Sequence, residues 1–78
     1  MTDENQSREQ VQKALGEQIK SLRIKKGWSQ KTLAELSGTT TVHIARIERG
    51  ELDIHLSTLF ALSEAFQSTI SQLFRGIG

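Results

Sequence analysis

Seventy-eight residues without a single cysteine or proline make one domain at most. A chain this short buries only about 60–65% of its unfolded surface. Without cysteine it has neither disulfides nor thiolate metal sites, so tight helix packing, a dimer or both must stabilise it. No apolar run approaches the ~20 residues of a membrane span, and residues 1–10 are too polar for a secretory signal. The lack of cysteine suits a reducing compartment, and a cytoplasmic location is expected. The net charge of +1 conceals a block structure: residues 19–50 carry seven bases against Glu35 and Glu48, whereas the segments on either side are each net acidic. Basic charge concentrated in one stretch suits a polyanionic partner, although a solvated face is the simpler account of charge alone.

Five helix signals follow in order, and no strand-like alternation of useful length interrupts them, so the chain reads as all-α. Residues 1–6 are expected to fray ahead of a single domain over 7–78. Ser7-Arg8-Glu9-Gln10 fits a capping box with Ser7 as N-cap. Val11, Leu15, Ile19 and Leu22 then mark one face of a first helix over 8–26, closed by the basic pair Lys25-Lys26 and by Gly27. Gly16 inside it implies a close approach by another helix. Ser29 caps a second helix over 30–37, with Leu33, Ala34 and Leu36 apolar and Gly38 as its stop. Thr40 caps a third over 41–49, with Ile44 and Ile47 inward and Gly50 beyond it. A fourth helix over 56–66 carries Leu56, Leu59, Leu62, Ala65 and Phe66. Thr69-Ile70-Ser71-Gln72 starts a short fifth with Ile70, Leu73 and Phe74.

Residues 29–50 hold the informative constellation. Two short helices meet across a tight glycine-containing turn, with small Ala34 where they must cross. With Ile44 and Ile47 inward, the third helix shows Thr41, Val42, Ala45, Arg46 and Arg49 outward, a short basic face suited to a major groove about 12 Å wide. Other chemistry finds no support. His43 and His55 are twelve residues apart with Glu51 and Asp53 between them, a loop that offers no accepted ligand spacing, so no metal site is expected. No nucleophile motif and no glycine-rich phosphate loop occurs, so neither an enzyme, a cofactor nor a small-molecule ligand is expected. Trp28 reads as a core residue between the first two helices, and Phe60, off the stripe of the fourth, either packs on the fifth or is exposed for a partner.

The runs Leu15-Gly16…Ile19…Leu22-Arg23, Trp28-Ser29-Gln30…Leu33-Ala34…Gly38, Ile44…Ile47-Glu48-Arg49-Gly50 and Leu56…Thr58-Leu59…Leu62 together resemble the lambda repressor-like, XRE-type helix-turn-helix domains. The resemblance covers roughly 15–73. It implies a five-helix fold and sequence-specific DNA binding in the manner of small stand-alone regulators such as restriction–modification controller proteins and phage repressors. Position by position, it implies that Gln30 contacts a phosphate and braces the recognition helix, that Thr40, Thr41, Val42 and Arg46 contact bases or backbone, and that His43 contacts a phosphate. Arg23 and Glu48 match a partly buried salt bridge between the first and third helices. Glu51-Leu52-Asp53-Ile54 stands where a basic residue and a proline are common, and Gln67-Ser68 where glycine-valine is common.

The expected function is therefore a transcriptional regulator binding a two-fold-related operator of double-stranded DNA as a homodimer. Gln30, Lys31, Thr40, Thr41, Val42, His43, Arg46 and Arg49 face DNA in this reading. Phe60, Ile70, Leu73, Phe74 and Ile77 form an apolar strip for the dimer. The alternatives are an antitoxin of the same fold, and a protein-interaction domain that has lost DNA binding, for which the acidic loop after Gly50 is the best support.

Overall fold

The computed structural model of the chain describes residues 4–51 and 54–75. It contains α1 (Glu4–Lys25), α2 (Gln30–Ser37), α3 (Thr41–Glu48), α4 (Leu56–Ala65) and α5 (Ile70–Leu73), with no strand among the described residues. The all-α, five-helix expectation is met. The first helix departs from it: α1 already runs at Glu4, so Ser7 lies inside the helix and is not its N-cap. Glu4 and Gln6 are good helix formers, so nothing forces the start to wait for a hydroxyl. The remaining predicted caps are in place. Ser29 Oγ accepts from Thr32 N–H at 3.0 Å and Thr40 Oγ1 from His43 N–H at 3.1 Å. Thr69 and Gln72 exchange a reciprocal pair of bonds, 2.8 and 3.1 Å.

The first four helices close in one way. A residue one or two positions beyond the last helical residue turns left-handed, and its N–H and the next N–H reach back to free carbonyls. After α2, Gly38 bonds Glu35 O and Thr39 bonds Ala34 O at 2.9 Å. After α3, Gly50 bonds Ile47 O and Glu51 bonds Arg46 O, both at 3.0 Å. After α4 the left-handed residue is Gln67, with φ of 54°, the one non-glycine residue at positive φ among the described residues. The same hydrogen bonds form, Gln67 to Glu64 O at 3.0 Å and Ser68 to Ser63 O at 2.8 Å, but here a side chain occupies the backbone region that glycine adopts at lowest cost.

Leu15, Ile19, Leu33, Ala34, Ile44, Ile47, Leu62, Phe66 and Leu73 form the core. α1 packs on α3 and α5, α2 on α3 and α4, and α4 on α5. Where α1 crosses α3, a Cβ on Gly16 would overlap the Ile47 carbonyl oxygen and lie 2.8 Å from that of Glu48, so the close approach read from the sequence is real. Trp28 stacks on Phe66, with centroids 5.5 Å apart and planes at 18°, and so closes the core as expected. Three apolar positions assigned inward are more exposed: Val11 at 41%, Leu36 at 53% and Leu56 at 62%. At about 100° per residue, Leu36 falls roughly 110° from the direction shared by Leu33 and Ala34, and Leu56 falls to the side of the Leu59–Leu62–Phe66 stripe. Leu73, expected in a dimer surface, is fully buried and belongs to the core, because α5 turns it inward against α1 and α4. Phe74 is half-buried against the same cluster. Ile77 lies outside the described residues.

Gln67 offers a direct check on the helix closures. Gln67→Gly should relieve the left-handed strain while raising unfolded-state entropy, for a net gain of about 0.5–1 kcal/mol. In a domain of this size that raises the melting temperature by roughly 2–8 °C, measurable by circular dichroism.

Candidate nucleic-acid interface

The recognition region is built upward from one buried carboxylate. Glu48, the last residue of α3, faces inward with only 3% of its side chain exposed. Burying a charge without partners is costly, and Glu48 has three donors. Arg23 Nε gives 2.7 Å and Arg23 Nη2 3.2 Å, a bidentate pair from α1. Gln30 Nε2, from the start of α2, gives a third bond at 3.1 Å. The remaining arm of Arg23, Nη1, donates to the Trp28 carbonyl at 2.8 Å. No buried side-chain polar atom lacks a partner among the described residues. The network joins α1, the α1–α2 turn, the N-terminus of α2 and the C-terminal end of α3. The Arg23–Glu48 bridge implied by the family resemblance is thus present, and the bracing role of Gln30 has a physical form. The bonds from Gln30 and to Trp28 O were not anticipated, since neither partner is within helical spacing of the other.

With Ile44, Ile47 and Glu48 buried, the opposite side of α3 is solvent-facing. Thr41, Val42, Arg46 and Arg49 are exposed, Val42 at 68%, and Ala45 is half-buried. Lys31 is exposed in the first turn of α2, and Thr40 is exposed at the N-terminus of α3. Thr40 Oγ1 accepts its capping bond, which leaves the hydroxyl proton for an acceptor outside. His43 is half-buried, with Nδ1 2.7 Å from Thr39 Oγ1, an arrangement that orients the ring and leaves Nε2 for other contacts.

One feature of this face was missed from sequence. Glu51 folds back onto it. Its carboxylate takes Arg49 Nε at 2.6 Å and Arg49 Nη2 at 3.3 Å, and lies 3.8 Å from Arg46 Nε. All three side chains are about half exposed. The hydrogen bond from Arg49 holds the Glu51 carboxyl below the usual carboxylate range, against an opposing push from desolvation. Arg46 and Arg49, read from the sequence as facing DNA, therefore share an anionic partner. Helical spacing could not reveal this, because the left-handed Gly50 reverses the chain between them.

Two short helices joined through a left-handed glycine, the second presenting a narrow basic face and braced from beneath, define a helix-turn-helix protein. The chain belongs to the helix-turn-helix family, HTH_3, whose model matches residues 19–73. It is by that membership a DNA-binding regulator of transcription and not an enzyme. Over 63 residues it is 35% identical to the control protein C.SmaI of Serratia marcescens, covering 81% of this chain and 75% of that protein. It is 33% identical to the competence pilus inhibition repressor of Acinetobacter baylyi over 77% of its own length, but spans only 54% of that relative. Among solved structures it resembles the restriction–modification controller protein C.AhdI of Aeromonas hydrophila, with a TM-score of 0.77 at 34% identity over 80% of this chain and 90% of that one. It also resembles the P22 c2 repressor solved with a synthetic operator, with a TM-score of 0.73 at 34% identity over 80% of this chain and 94% of that one.

The buried network sets a stability prediction. Glu48→Ala leaves Arg23 and Gln30 without their acceptor and should cost about 3–5 kcal/mol, enough to unfold much of so small a domain. Replacing Arg23 and Glu48 together by apolar residues should restore part of the loss but not all, because the Trp28 carbonyl and the Gln30 amide still lose their partners. Urea denaturation of the parent, both single variants and the double variant measures the coupling. A Glu48→Ala midpoint equal to the parent's contradicts it.

Proposed function

We propose that the chain regulates transcription as a homodimer on a two-fold-related DNA operator, with one α3 lying in the major groove of each half-site. The observation that carries this reading is the solvent face of α3, where Arg46 stands one helical turn beyond Val42 on a helix held rigid by Glu48. A guanidinium there can donate two hydrogen bonds to O6 and N7 of guanine, and Val42 offers only an apolar surface, suited to a thymine methyl. Thr41 supplies a hydroxyl. Lys31, Gln30, Thr40 and His43 border the face and suit phosphates, which position the protein without reading sequence. Arg49 adds a further cation at the far end. Selection of bound sequences from random duplexes tests the reading, because it reports binding, site sequence and half-site spacing together.

The two groups of residues should fail differently. Arg46→Ala should cost about 1–3 kcal/mol on the best site and relax the preference at one base pair per half-site. Lys31→Ala should weaken all sequences alike and flatten the salt dependence by about one unit of slope. Titrations of both variants against single-base operator changes at two salt concentrations make the comparison. An Arg46→Ala protein with unaltered base preference would mean that Arg46 is a phosphate clamp.

Dimerisation would set two copies of α3 about one DNA turn apart, ~34 Å. Leu56 and Phe60, four residues apart on α4, leave 62% and 52% of their surfaces in water and support an apolar contact there. Ile70 and Phe74, half-buried, would extend it. Phe60→Glu is the informative variant, since Phe74 also packs on the core. It should sediment as a monomer and bind operator at least tenfold more weakly, by the order of magnitude that a hydrophobic anchor contributes to an interface. Sedimentation showing monomers of the unaltered protein, with and without operator, would exclude the dimer.

A further inference from the structure

We infer that Glu51 is a specificity-determining residue: it holds Arg46 and Arg49 against capture by the phosphate backbone of unrelated DNA. The inference rests on the DNA-binding reading above, and it arises from where the carboxylate sits. The turn carrying Glu51 is tied to the end of α3. Gly50, at φ of 72°, bonds Ile47 O, and Glu51 N–H bonds Arg46 O, each at 3.0 Å, which ties the residue to the last turn of α3. Beneath it, a Cβ on Gly50 would come within 2.8 Å of Lys13 Cα, so the turn sits directly on α1 and cannot drift without disturbing that contact. From this seat the carboxylate meets Arg49 with two hydrogen bonds and stands 3.8 Å from Arg46. It presents two oxygens to a guanidinium fork, as a phosphate would.

The consequence follows from how the two kinds of binding differ. Attraction to unrelated duplex comes almost entirely from cations neutralising phosphates, with release of condensed counterions. Glu51 lowers the charge at this end of α3 from two net positives to one, and offers Arg49 an intramolecular substitute for phosphate. Both effects weaken sequence-independent binding. At a cognate site Arg46 gains bidentate bonds to a base edge, which a carboxylate 3.8 Å from one nitrogen does not match, so the loss there is smaller. Discrimination, a difference of two affinities, is widened by lowering the weaker one. All three side chains are about half exposed, so the contact is readily exchanged for one with DNA. The hydrogen bond from Arg49 favours the ionised carboxylate.

The test is Glu51→Gln, a change of charge with little change of shape, beside Glu64→Gln, which removes an exposed acid from α4, outside the recognition helix. Each is titrated with a random-sequence duplex and with a duplex selected by the unaltered protein, at several salt concentrations. Glu51→Gln should raise affinity for the random duplex about threefold to tenfold at low salt and steepen the log–log salt slope by about one unit. Affinity for the selected duplex should rise less, so the ratio between the two falls. Glu64→Gln should change neither by more than about twofold. In an Arg49→Ala background the gain from Glu51→Gln should shrink, since the partner it releases is gone. Three outcomes overturn the inference alone: the unaltered protein binds DNA and Glu51→Gln changes nothing, it weakens binding, or Glu64→Gln matches its effect. Failure of the unaltered protein to bind any duplex at low salt overturns the DNA-binding reading as well.

Discussion

Glu48 is the constraint from which most of this architecture follows. It is a carboxylate turned into the centre of a small domain, at the end of the helix that must be presented to DNA. Such a group is tolerated only when donors converge on it, and three do, from two other helices. The requirement fixes where α1, α2 and α3 stand relative to one another more sharply than apolar contact would, because hydrogen bonds have direction and methyl groups do not. Arg23 contributes twice, since its outer nitrogen also holds the Trp28 carbonyl, and Trp28 in turn stacks on Phe66 of the α4 C-terminus. A line of contacts therefore runs from the recognition helix through a charge pair into the aromatic part of the core.

The rest of the domain is economical in its means. The core of nine buried apolar residues among those described is small, and the helix ends carry much of the definition. Hydroxyl caps start α2, α3 and α5, and reversed carbonyl contacts end α1 to α4. These local devices satisfy backbone groups that would otherwise depend on water, and they set the angles at which short helices leave their turns. The close approach of Gly16 to the α3 carbonyls belongs to the same economy. It lets the longest helix lie against the recognition helix with no side chain between them, which shortens the lever through which α3 could move.

Basic residues on a recognition face create a problem as well as a function, because any duplex attracts them. Here the face is not uniformly basic. Its far end carries a carboxylate that engages two arginines, on a turn seated against α1. The acid in this loop reads as a defect when the sequence is viewed against a pattern of basic loops. In three dimensions it is a charge partner, and the cations of the face divide into those tethered within the protein and those, such as Lys31, at the start of the preceding helix.

The sequence by itself determined the helices, their caps and the basic segment, because each depends on neighbours within four positions. Ser29, Thr40 and Thr69 announce helix starts, Gly38 and Gly50 announce stops, and Ile44 with Ile47 divides α3 into a core side and a free side. The helix-turn-helix class was legible for the same reason, as a set of local signals at fixed spacing. Two errors show where local reading weakens: Ser7 resembles a cap in a stretch that is already helical, and Leu36 and Leu56 are apolar on helices whose buried stripe passes beside them. Only the tertiary structure decided that Gln30 braces Glu48, that Leu73 is core and not surface, and that Glu51 meets Arg49 and Arg46. Each of these turns on how one segment is oriented against another, across eighteen residues for Gln30 and Glu48, or across a chain reversal for Glu51. Periodicity tells which side of a helix is apolar, but the partner of a polar group is set by packing, and packing exists only once the chain has folded.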